Sequence, residues 1–131
     1  MRQLVAKIIL FLVILFLVDT ALGICFQTLV DSAKGGETRR VNYICKQTSE
    51  DLLIFGSSRA LHHYDPLLLE DSLQMSCYNC GKDGNGIILL YGWFKMIQQR
   101  YHPQMIVYDV MPNFDLWKGD NMAYLPGLRY Y

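Results

Sequence analysis

Residues Leu53–Ala60 read LIFGSSRA, and this stretch decides the fold. With Asp51 and Leu52 before it, the segment starts as an unbroken apolar run of strand length. It then stops at Gly56-Ser57-Ser58-Arg59. Continuous rather than alternating apolar residues are the pattern of a strand covered on both faces, as in a parallel sheet. A strand that ends in a glycine and two hydroxyls either closes in an ordinary polar turn or carries a nucleophile at its tip. The flanking sequence has to decide between the two.

Downstream, Tyr64-Asp65-Pro66 predicts a helix start. Asp65 can cap free backbone N–H groups, and Pro66 suits the first helical turn. That helix is expected to run through Leu67, Leu68 and Leu69 to about Ser72, with His62 and His63 in the loop before it. Gln74–Tyr78 reads as a second strand and Gly81–Gly86 as a glycine-rich loop. From Gly86 to Tyr101, Ile87, Leu90, Tyr91, Phe94 and Ile97 recur at helical spacing, and Pro103 marks the end. Tyr91, Trp93 and Phe94 are read as core rather than as a sugar-stacking surface. Gln104–Val110 (QMIVYDV) is a third strand, followed by a loop over Met111–Asp115.

Alternation of strand and helix predicts a layered α/β fold with a parallel sheet. In such folds ligands gather beyond the carboxyl ends of the strands. Three loops leave those ends: Gly56–Arg59, Asn79–Gly86 and Met111–Asp115. All three should open on one edge.

The first thirty residues are of another kind. Leu4–Val30 reads LVAKIILFLVILFLVDTALGICFQTLV, long enough to cross a bilayer, which needs about 20 mainly apolar residues. Asp19 is expected near the outer interface, because charge at mid-membrane is costly. No small-x-small cleavage site follows, so the segment is read as an uncleaved signal anchor rather than a removed signal peptide. Arg2 and Lys7 favour a cytoplasmic N-terminus and an extracytoplasmic C-terminal part. Ser32–Arg40 (SAKGGETRR) is polar and aperiodic, as a linker is. The chain thus divides into an anchor (1–31), a linker (32–48) and an α/β part (49–131).

Among 131 residues, 12 Lys and Arg balance 12 Asp and Glu. Such a balance lacks the basic footprint of nucleic-acid binding. No cofactor motif is present. The loop Gly81–Gly86 lacks phosphate-cradle spacing, and Asp83 has no companion ligands for a metal. Cys77 and Cys80 have no second pair for zinc, and they close a strand rather than open a helix as redox pairs do. A structural disulfide from Cys45 to Cys77 or Cys80 is expected in an oxidising compartment. Arg59 is read as a solvated or ion-paired helix residue.

Acyl transfer needs a nucleophile, a base and donors for the developing oxyanion. Ser58 can attack, Gly84 can present a bare N–H, and Asn113 can add an amide. The arrangement resembles the SGNH (GDSL-type) hydrolases, named for Ser, Gly, Asn and His in successive blocks. Gly56-Ser57-Ser58 is similar to their Gly-Asp-Ser block, with Ser57 in place of Asp. Asn79-Cys80-Gly81-Lys82-Asp83-Gly84 has the spacing of the second block, and Pro112-Asn113-Phe114-Asp115 is a looser form of the third. The resemblance spans about Asp51–Asp115. It implies a three-layer, flavodoxin-like SGNH fold behind one transmembrane helix. It implies Ser58 as nucleophile, with the Ser58 N–H, the Gly84 N–H and the Asn113 amide as oxyanion donors. The closest likeness is to membrane-tethered members that add or remove acyl groups on envelope polysaccharides. That implies an acylated glycan or other small ester as substrate.

The family's Asp-x-x-His block, which supplies the base, is absent; the histidines are His62, His63 and His102. None of the three is assigned as the base. The expectation is an incomplete SGNH-type esterase or acyltransferase, inactive in this form. The alternatives are a non-catalytic envelope scaffold or binding module, and a thiol-disulfide protein using Cys77 and Cys80.

Overall fold

The computed structural model describes residues 2–111 and Asp115. It divides into two compact units, Met1–Asn42 and Tyr43–Tyr131.

The first unit is dominated by α1 (Arg2–Asp31), a helix with no buried residue. Its 30 residues make it long and apolar enough to cross a membrane. Lipid offers no hydrogen bonds, so polar side chains in such a helix must find partners within it. Thr20 Oγ1 donates to the Phe16 carbonyl at 2.8 Å, and Thr28 Oγ1 to the Cys25 carbonyl at 2.7 Å.

A second helix, α2 (Gly36–Lys46), occupies most of the segment read as a linker. Its polar first half hides the pattern, because the apolar stripe begins only at Val41 and continues through Ile44 and Cys45. Glu37 in the first turn and Lys46 in the last suit the helix dipole. The carboxyl end, which belongs to the second unit, is closed by a residue 52–56 positions away in the chain. The Arg100 guanidinium donates to the carbonyls of Ile44, Cys45 and Thr48 and to Thr48 Oγ1, at 2.8–3.2 Å.

The second unit continues with β1 (Leu52–Gly56), α3 (Ser58–His63), α4 (Pro66–Leu73), β2 (Cys77–Asn79), α5 (Ile87–Gln98) and β3 (Met105–Asp109). It is a mixed α/β unit on a three-stranded parallel sheet of order β2-β1-β3. All five residues of the central strand are buried, as its continuous apolar run predicted. Parallel connections are right-handed in nearly all sheets. With β2 and β3 on opposite sides of β1, that rule sends α3–α4 and α5 to opposite faces. Leu52, Ile54, Ala60 and Cys77 form the core on one face, joined by Tyr64, Leu69 and Val107. On the other, Phe55 meets Phe94 of α5 edge to face, with ring centres 6.2 Å apart.

Element boundaries differ from the sequence reading where a cap intervenes. Asp65 caps α4 as expected, its carboxylate accepting from the Leu67 N–H at 2.9 Å, with Pro66 in the first turn. Gln74 adopts a left-handed conformation to end α4, so β2 starts at Cys77 instead of Gln74. His62 and His63 lie in α3, not in a loop. On α5 the buried face is Leu89, Leu90, Trp93 and Ile97. Ile87 and Tyr91 are exposed instead, and with Phe94 they line an apolar groove of about 100 Å³ beside Phe55, Ile106 and Tyr108. Among the described residues, no strand pairs with the outer side of β3.

Cys45, Cys77 and Cys80 are buried and not joined by a disulfide, so the expected bridge is not formed. Burial pushes the Cys45 thiol up to about 12, and raises Cys77 as well. Cys45 is buried on α2, and Cys77 lies on the face of β2 that packs with Leu52 and Ile54.

Candidate functional site

The chain turns sharply where β1 ends. Gly56 has φ +153°, and a Cβ there would sit 2.7 Å from Ala60 Cβ and 3.0 Å from Asp109 Cβ. Glycine is therefore required by conformation and by space. Ser57 follows in extended conformation as the cap of α3, buried, its hydroxyl without a hydrogen-bond partner. Ser58 is the first residue of α3 and is exposed. Of the two hydroxyl residues, Ser57 is buried and Ser58 is exposed.

The second loop folds back against this turn. The Cys80 N–H donates to the Ile54 carbonyl at 2.7 Å, and the Lys82 N–H to the Gly56 carbonyl at 2.9 Å. Asn79 ties the loop to the end of α3. Its amide donates to the carbonyls of Ala60 and Tyr64, and its Oδ1 accepts from the Gly81 N–H at 2.9 Å. Gly81 passes so close to α3 that a Cβ would lie 2.6 Å from the Leu61 nitrogen. Gly84 is left-handed at φ +67°. Its neighbour Asp83 contacts His62 of α3, with Nε2 3.0 Å from Oδ1 and 3.3 Å from Oδ2.

Between β1 and β3, where the direction of connection reverses, an ion pair spans the crevice. Arg59 Nε donates to Asp109 Oδ2 at 2.7 Å, its Nη2 donates to Asp109 Oδ1, and Nη2 also reaches the Val110 carbonyl at 2.9 Å. Asp109 is almost wholly buried. Hydrogen bonding from Arg59 holds its carboxyl below the usual carboxylate value, against the opposing effect of burial, and Arg59 is raised in turn. Beyond the strand, Asp115 accepts from the Tyr108 hydroxyl at 3.1 Å and the Met111 N–H at 2.7 Å. Burial is the first cause that raises Tyr108, with Asp115 adding to it.

Ser58, at the start of α3, and Gly84, in the loop after β2, thus follow strands that end at one edge of the sheet, and the loop is hydrogen-bonded to the turn before Ser58. Asn113 lies outside the described residues. Arg59 is ion-paired, as expected. His102 falls between α5 and β3, at the opposite edge. Sequence reasoning missed two pairings, Arg59–Asp109 and His62–Asp83. Neither had a local signal, since the partners lie 50 and 21 residues apart in the chain. Among the described residues no group of three or more His, Cys, Asp or Glu could hold a metal ion.

Comparison with protein-family models, with curated proteins and with solved structures finds no match.

Proposed function

We propose that the chain is a membrane-anchored serine esterase or O-acyltransferase of SGNH type, acting on an ester of the cell envelope. Its α/β unit lies outside the cytoplasm, and its sheet belongs to the three-layer, flavodoxin-like arrangement of that superfamily. One observation carries the reading. An exposed Ser58 opens the helix that leaves the buried central strand, while the neighbouring loop, carrying a left-handed Gly84, is hydrogen-bonded to the same turn.

Ser58 is the nucleophile in this reading. Its own N–H, the first of α3, has no acceptor within the helix, and the Gly84 N–H is unobstructed by a side chain. Both are donors for a developing oxyanion. Asn113 is assigned the third donor role. Arg59 and Asp109 brace the turn and do not face substrate as free charges.

A fluorophosphonate probe is expected to label the full chain in detergent micelles, and Ser58→Ala to abolish the label. Labelling that persists in Ser58→Ala excludes Ser58 as nucleophile. A wild-type chain that takes no label leaves a non-catalytic envelope module as the function.

A further inference from the structure

We infer that His62, oriented by Asp83, is the proton acceptor for Ser58; this rests on the reading of Ser58 as nucleophile. The observation is the contact between α3 and the loop that follows β2. His62 Nε2 lies 3.0 Å from Asp83 Oδ1 and 3.3 Å from Oδ2. A carboxylate against Nε2 takes the N–H of the neutral ring there, which leaves Nδ1 as the basic nitrogen.

Helix geometry places His62 on the same face as Ser58. Residues four apart lie on one face with Cβ atoms about 5–6 Å apart. Helical side chains lean towards the N-terminus, over the preceding turn. His62 therefore leans over the turn that begins with Ser58. All three side chains are open to solvent, His62 and Asp83 each 60% exposed. His63 is held elsewhere: its Nδ1 lies 3.1 Å from the Arg59 carbonyl. The order nucleophile, imidazole, carboxylate is that of a serine triad, here drawn from a single helical turn and one loop.

The chemistry balances without a further reagent. The Ser58 O–H bond breaks, its proton passes to His62 Nδ1, and the freed electron pair bonds to the ester carbonyl carbon while the C=O π pair moves onto oxygen as the oxyanion. When the tetrahedral species collapses, the ester C–O bond breaks and the departing alkoxide takes the proton back from Nδ1. Water or an acceptor hydroxyl repeats the sequence to release the acyl group from Ser58. Asp83 stabilises the imidazolium between the two transfers.

The test is the rate of fluorophosphonate labelling of the full chain in detergent micelles. His62→Ala is expected to slow labelling by about 100-fold or more, the contribution of a positioned base. Imidazole added to the buffer should restore part of that loss. Asp83→Asn should slow labelling by a smaller factor, and His102→Gln should leave it unchanged. If His62→Ala labels within twofold of wild type while Ser58→Ala takes no label, His62 is overturned and the nucleophile stands. A slow His62→Ala that imidazole does not restore also overturns it, since the loss is then structural. Labelling that survives Ser58→Ala, or a wild type that takes no label, removes the proposed function and this inference together.

Discussion

Gly56 and Asp109 show how much one residue decides at the sheet edge. They are register partners across β1 and β3, and they meet where the backbone turns. A methyl group at Gly56 would force a rare φ on an ordinary residue and push into Ala60 and Asp109. Gly56→Ala is therefore expected to cost about 3 kcal/mol, from strain and overpacking together, measurable as a lower urea midpoint. Asp109 acts through charge. Its carboxyl is held below the ordinary value by Arg59, so the folded state gives up that proton more readily than the unfolded chain. The stability this supplies is complete above the ordinary range near about 4, and is lost as pH falls through the lowered value. Asp109→Asn is expected to weaken the fold at neutral pH and flatten the acid limb of the pH–stability curve. Urea midpoints taken across the acid range would check it.

At the scale of elements, what closes a helix matters as much as what forms it. α4 is closed by its neighbours, Asp65 before it and Gln74 after it. Its start was legible in Asp-Pro, because capping is a local contact. α2 is closed by Arg100, beyond two strands and three helices in the chain. No local pattern announces that cap, and the segment reads as a linker without it. Arg100→Gln should destabilise the second unit by about 1.5–3 kcal/mol, the range for hydrogen bonds to charged groups. Amides in the last turn of α2 should then exchange faster than those of α4, as hydrogen-exchange mass spectrometry would show. The helical period of α5 was legible in the sequence, but its buried face was not. Apolar residues occupy more than one side of that helix, and only packing chose Trp93 for the core and left Tyr91 outside.

For the whole molecule, the contrast between α1 and the α/β unit predicts behaviour in cells. With α1 in place, the chain should stay with membranes after an alkaline carbonate wash. Recovery of a shortened chain in the soluble fraction would instead mark α1 as a removed signal sequence. The sequence by itself determined the apolar N-terminal helix, the alternation of strands and helices, and the buried central strand. Those features rest on composition and period, which act over a few residues at a time. It also located the exposed serine and the glycine turn. Tertiary structure alone decided the strand order, the Arg59–Asp109 brace and the His62–Asp83 contact. Each of these joins groups far apart in the chain, and their meeting depends on how the crossovers pack against β1, a geometry that no short stretch of sequence encodes.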